Sequence, residues 1–251
     1  MANTDLIILI VLFFLTSIVG VVTGSNSLIT VPVMFQVGID EKVAIATNMF
    51  GLTFMAIGGT IPFLRQGKID ARKLSPLIAV TLIGSALGAL LVGYITNQSI
   101  KLIVSIAMIV VVIFTLVRRE KLEPSVVTGG LTKLPIIGFL ATFFLAIYGG
   151  LYSGGYVTVL TAAFIAFLGM SYSESVGSTK LVNVFSSLIA TLVFMWQGLV
   201  DYKLGAILAV TMFIGAFVGA HYAVKMNEIW LKRIFLATVV LLAVKTLYDF
   251  V

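Results

Sequence analysis

No cysteine occurs in the 251 residues, and His221 is the single histidine. Disulfides, thiolate nucleophiles and cysteine metal sites are therefore excluded, and so is a multi-histidine metal centre. Charge is scarce as well. Asp, Glu, Lys and Arg make up 10% of the chain, against about 25% in an ordinary soluble domain, too little to clothe a surface facing water. No GxxxxGK[ST] phosphate loop is present, so ATP would have to be hydrolysed by a separate subunit. Carboxylates do not cluster within the apolar runs, which argues against an intramembrane acid/base enzyme. No metal or other cofactor is called for. The leading MANTDL has neither a basic residue nor a small-residue cleavage site, so a removable signal peptide is not expected.

What the chain does have is apolar surface: 60% hydrophobic residues and a mean hydropathy of +1.17. Apolar runs of roughly 18 to 25 residues recur along its length, matching the roughly 30 Å hydrocarbon core at 1.5 Å per residue. The lipid bilayer is the solvent. The net charge is +6, but Lys and Arg lie between apolar runs instead of forming a basic face with interleaved aromatics, so nucleic acid is not a partner.

In the first half the runs are Leu6 to Thr23, Leu28 to Val37, Val43 to Leu64, Leu74 to Ile95 and Ile100 to Val117. In the second they are Leu134 to Tyr152, Val157 to Leu168, Leu181 to Trp196, Leu204 to Tyr222 and Ile229 to Val244. Between the halves, the polar stretch 118–133 carries Pro124 and two glycines and reads as a linker. The domain reading is thus 1–117, linker 118–133, and 134–251.

Matching residues support a duplication: Gly24 with Gly155, Gly38 with Gly169, Gln66-Gly67 with Gln197-Gly198, Asp70 with Asp201, and Gly84/Gly88 with Gly215/Gly219. Each pair is 131 positions apart. Between them, Ala46-Thr47-Asn48 matches Ser178-Thr179-Lys180 at 132, which needs an inserted residue and a later deletion. The fold class is all-α, a polytopic membrane protein of two homologous halves, each with a broken or re-entrant first helix.

Positive charge in the loops bears on direction. Four crossings per half would make the halves parallel and put ten of the sixteen Lys and Arg residues inside; a re-entrant hairpin in each half inverts the second and puts twelve inside. Inversion is the favoured arrangement.

The breaks at Gly24-Ser25-Asn26-Ser27 and Ser153-Gly154-Gly155-Tyr156 are the leading candidates for a site. A broken helix in lipid leaves backbone groups that cost several kcal/mol if unmet, so breaks survive where protein or a polar cavity receives them. The short helix after each break would aim its N-terminal N–H groups and positive dipole end inward, suiting an anion. The competing reading is a tight turn closed by Ser and Asn caps. Thr47 and Asn48 in one half, and Ser178, Thr179 and Lys180 in the other, lie one to two turns inside the next span. A lysine at mid-membrane costs about 2.5 to 3.5 kcal/mol on insertion scales and is a functional candidate, unless it snorkels to the interface. Asp70 and Asp201 read as N-caps, the spaced glycines as packing sites, and His221 as an interfacial residue.

The order of these motifs resembles the sulfite exporter TauE/SafE family. The pieces are GVVTGSNSLITVP (Gly20 to Pro32), GIDEKVAIATN (Gly38 to Asn48) and LRQGKID (Leu64 to Asp70), then GGLYSGGYVT (Gly149 to Thr158), GMSYSESVGSTK (Gly169 to Lys180) and QGLVD (Gln197 to Asp201). The resemblance spans nearly the whole chain. It implies export of a small sulfur-containing anion, such as sulfite or sulfoacetate, across a bacterial cytoplasmic (inner) membrane. Lys180 departs from the small polar residue that many relatives have. The alternatives are a permease for another small anion and a non-transporting scaffold subunit. A coupling proton or ion, and a homo-oligomer, are left open.

Overall fold

The computed structural model describes residues 3–24, 26–67, 69, 71–117 and 135–226, and every regular element among them is an α-helix. The first half holds α1 (Asn3–Thr23), α2 (Ser27–Gln36), α3 (Glu41–Arg65), α4 (Ala71–Tyr94) and α5 (Asn97–Val117). The second repeats the pattern with α6 (Pro135–Leu151), α7 (Tyr156–Leu168), α8 (Tyr172–Trp196) and α9 (Tyr202–Ala223). Ser25, Asp70, the linker 118–133 and the run Ile229 to Val244 lie outside the described residues.

Five of these helices are long and apolar enough to cross a membrane, and the protein is a multi-pass membrane protein. Ile7, Val11 and Leu15 on α1, Ile83, Leu87 and Leu91 on α4, and Leu102, Ile106 and Val110 on α5 are all exposed. At steps of four residues they form apolar stripes that would be a liability in water and are solvated by lipid chains in a bilayer. Trp196, Tyr202, Tyr94 and Tyr222 are exposed at helix ends, the positions that interfacial aromatics favour.

Two sequence expectations are corrected. The span read from Leu181 begins at Tyr172, because its first turns are polar yet helical: Ser171 caps them by accepting a hydrogen bond from Glu174 N, and Ser175, Ser178 and Thr179 are buried inside the protein. Apolar runs register lipid contact, and these turns face other helices. The second correction is the repeat register. Helices α3 and α8 are both 25 residues long, and their N-caps, Asp40 and Ser171, and C-caps, Gln66 and Gln197, keep the 131 offset throughout. Thr30 donates to Asn48 at 2.8 Å, and the equivalent pair is Thr161 with Thr179 at 3.1 Å. No insertion is needed, so Asn48 corresponds to Thr179, and Lys180 corresponds to Met49. The lysine belongs to one half alone.

The halves pack by exchange: α1 lies on α9 and α6 on α4, while α3 meets α9, α4 meets α8, and α3 crosses α8. The spaced glycines make this possible. A Cβ on Gly84 would lie 2.8 Å from the Phe143 carbonyl and one on Gly215 2.7 Å from that of Phe14, while Gly88 and Gly219 abut the Ile147 and Ile18 carbonyls one turn on. Side chains there would hold the helices apart.

The same contacts fix direction. Along α3, Thr53 meets Thr191, Gly59 meets Lys180 and Phe63 meets Gly177, so the equivalent helices α3 and α8 run antiparallel. Thr47 and Phe50 lie by Gly205 and Gly58 by Phe213, so α9 runs parallel to α3; α1 runs parallel to α9, since Phe14 and Ile18 face Gly215 and Gly219 in order. Helix α1 therefore points the same way as α3, and α2 returns between them. The first break is the tip of a hairpin.

Candidate functional site

The hairpin tips of the two halves touch. Gly24 has φ +70°, and a Cβ there would lie 2.7 Å from Val157 Cβ and 2.8 Å from Thr158 N. Thr158 Oγ1 donates to the Thr23 carbonyl at 2.6 Å, and Tyr152 OH donates to the Ser27 carbonyl at 3.1 Å. The second half thus holds backbone carbonyls on both sides of the first break. The second break is braced further by Tyr148 OH donating to the Gly154 carbonyl.

A small cavity of about 20 Å³ lies at this junction, room for roughly one water molecule. Its polar lining comes from Gly24, Asn26, Ser27, Ser153, Lys180 and Asn183. Helix α2 starts behind Asn26 and α7 behind Gly155, and neither start has a side-chain cap among the described residues. Two positive helix ends open near one cavity.

Lys180 is 3% exposed and does not snorkel. Its Nζ donates to the Gly20 carbonyl at 3.3 Å, in the last turn of α1, where the negative end of that helix dipole faces it. No carboxylate among the described residues pairs with it. A buried ammonium with one carbonyl for company is under-compensated, and an anion in the cavity would supply what is missing.

The remaining predicted residues divide into supports and outsiders. Asn48 stands one layer back, donating from Nδ2 to Ser27 Oγ at 3.0 Å while accepting from Thr30, so it fixes the start of α2. Thr179 does the same service for α7 through Thr161. Thr47 turns away and accepts from Asp201 N at 3.0 Å, tying α3 to the loop before α9. Ser178 is buried but does not line the cavity, Gly154 and Gly155 shape the second break, and Tyr156 points towards α4 and α8. Ser25 lies outside the described residues. Asn183 was missed from sequence, although its position three residues after Lys180 on α8 puts it on the same helix face.

Ser153 has φ +69°, the one non-glycine left-handed residue among those described. That conformation costs about 1–2 kcal/mol in an L-residue. Ser153→Gly is expected to raise the thermal midpoint of the detergent-solubilised protein by a few degrees; a lower midpoint would show that the hydroxyl contributes more than its backbone costs.

Comparison with known proteins agrees with this architecture. A family model described as sulfite exporter TauE/SafE matches residues 9–246. The chain is 25% identical to probable membrane transporter protein ORF9 of Sinorhizobium sp, over 96% of this chain and 92% of that one. It is 26% identical to probable membrane transporter protein YfcA of Escherichia coli K12, over 95% and 89%. With probable membrane transporter protein YdhB of Bacillus subtilis the figure is 24%, over 90% and 94%. No solved structure matches the chain.

Proposed function

We propose, from the premise that the chain belongs to the sulfite exporter TauE/SafE family, that it carries a small sulfur-containing anion, sulfite or an organosulfonate such as sulfoacetate, out of the cytoplasm across the inner membrane. The observation that carries this reading is the junction of the two breaks, where two helix starts with no side-chain cap among the described residues meet a buried lysine that has no carboxylate partner among them. A dispersed oxyanion is what such a donor set recognises: it accepts several hydrogen bonds at once and neutralises the ammonium. The relatives' transporter names support movement across the membrane over mere binding.

The arrangement of the halves supports alternating access. If α3 and α8 both cross the bilayer, their antiparallel course makes the repeat inverted, with one hairpin entering from each side. The distribution of positive charge supports the same orientation. A cavity of about 20 Å³ is smaller than any sulfonate, so admitting one requires opening, and opening towards either side would separate a hairpin from the opposite half.

Purified protein in proteoliposomes is expected to give saturable uptake of labelled sulfite, competed by sulfoacetate and not by a cation or a neutral sugar. Competition by chloride or phosphate with equal strength would move the assignment to a general anion permease, and no saturable flux of any anion would defeat the transport reading.

A further inference from the structure

Asn26 lines the anion cavity and is 3% exposed. Its Nδ2 donates to Met55 Sδ at 3.1 Å and to Ser17 Oγ at 3.4 Å. Its Oδ1 is buried with no hydrogen-bond partner among the described residues, and the side chain does not cap α2. Turning the amide over would not mend this, because the oxygen would then meet the Met55 sulfur, which has no proton to give. A buried acceptor left in this state costs about 1–3 kcal/mol.

The architecture of the breaks does not require the amide. At the 131 offset, Asn26 corresponds to Val157, while Lys180 and Asn183 correspond to Met49 and Leu52, all apolar. Val157 and Leu52 line the same cavity. One set of repeat positions therefore walls the cavity with aliphatic side chains, and the other brings an orphaned acceptor, an ammonium and a second amide. Charge is equally one-sided, since Lys180 is the one buried charged side chain among the described residues. Helices α1, α2, α3 and α7 bring no Asp, Glu or His to the lining. Of the buried tyrosines nearby, Tyr152 donates to the Ser27 carbonyl, and Tyr156 is turned to Ser186 and Thr81.

We infer that the anion is bound in its singly protonated form, as hydrogensulfite, with its S–OH donating to Asn26 Oδ1 and its other oxygens facing Lys180. This rests on the transport reading above and names the protonation state of the cargo. A fully deprotonated oxyanion has only acceptors and would oppose Oδ1 without satisfying it. One negative charge also matches the one ammonium. The sulfite dianion, or sulfate, would leave a second charge buried without a counter-ion, at a cost of several kcal/mol. Sulfoacetate fits on the same terms with its carboxyl group protonated. Sulfite exchanges its proton near neutral pH, so the required form is abundant in neutral water. On release, hydrogensulfite gives that proton to water and becomes sulfite. Each anion thus carries its own coupling proton, and no intramembrane carboxylate is needed to move it.

Thermal unfolding of the detergent-solubilised full chain tests the binding preference without requiring flux. Methanesulfinate is the matched probe: a pyramidal sulfur monoanion with a methyl group in place of the hydroxyl. Hydrogensulfite is expected to half-saturate the midpoint shift at about a tenfold lower concentration than methanesulfinate, the worth of one hydrogen bond, and sulfate to give no shift. As the pH is lowered through neutrality, the total sulfite needed is expected to fall in step with the hydrogensulfite fraction, measured against methanesulfinate, whose charge does not change. Asn26→Leu is expected to erase the preference by weakening hydrogensulfite alone. Equal affinity of the parent for the two probes, or a preference that survives in Asn26→Leu, would overturn the proposal and leave Oδ1 to a trapped water. Should Asn26→Leu not fold, the parent's response to the two probes decides. In proteoliposomes with an entrapped pH indicator, sulfite uptake is expected to acidify the lumen beyond the change in protein-free vesicles. Uptake that makes the lumen alkaline would mean that the dianion crosses, which contradicts the proposal and leaves the transport reading intact. No saturable uptake would defeat the transport reading and leave a hydrogensulfite-selective shift standing.

Discussion

Lys180→Met is expected to abolish saturable anion flux while leaving the purified protein at least as stable as the parent. The lysine is buried, its one hydrogen bond goes to the Gly20 carbonyl, and no carboxylate among the described residues balances it. Replacing an under-compensated buried charge with an unbranched apolar side chain of similar length is neutral or stabilising, by about 1–4 kcal/mol in comparable cases. The anion loses its only full counter-charge in the cavity. Breaking one side of a buried charge pair costs about 3–5 kcal/mol, which is roughly a hundred- to a thousandfold or more in apparent affinity. Stability and transport therefore move in opposite directions, a pattern that a packing role for Lys180 does not produce. Flux in Lys180→Met equal to the parent's would remove Lys180 from the site.

Gly24→Ala is expected to be among the most damaging single-methyl changes in the chain. Its backbone is left-handed, which costs alanine about 1 kcal/mol, and the new Cβ would drive into Val157 and Thr158 N across the junction. The two effects separate cleanly, because Gly198 has the same φ of +70° with nothing within 4 Å of where a methyl group would sit. Gly198→Ala should lower stability by about 1 kcal/mol and spare flux. Gly24→Ala should lower it by about 2–4 kcal/mol and eliminate flux, since the hairpin tips can no longer close on each other. Equal effects of the two substitutions, read by thermal midpoint and sulfite uptake, would mean that close approach of the breaks is unimportant.

How far the sequence revealed all this depended on what each residue faces. Lipid-facing stripes are apolar, so most spans were legible to within a few residues, and the two breaks stood out because glycine and serine interrupt such runs. The opening turns of α8 were not legible, because their polar residues bond within the protein, as Thr179 does with Thr161. The 131 register was blurred at Asn48 and Lys180 because similarity of residue type suggested one pairing and the hydrogen bonds give another. Thr47 had the right composition and depth but the wrong helix face, a distinction that depends on where Asp201 N comes to rest. Asn183 sat in plain view at i+3 from Lys180.

On the proposed transport reading, one anion cavity opens in turn to each face of the membrane. The chain has no cysteine, so Asn183→Cys would place a single thiol on the cavity wall. In sealed vesicles, a membrane-impermeant thiol reagent is expected to label that cysteine from either side, at rates that sulfite reduces on both. Labelling from one side only, or rates that sulfite leaves unchanged, would contradict the account.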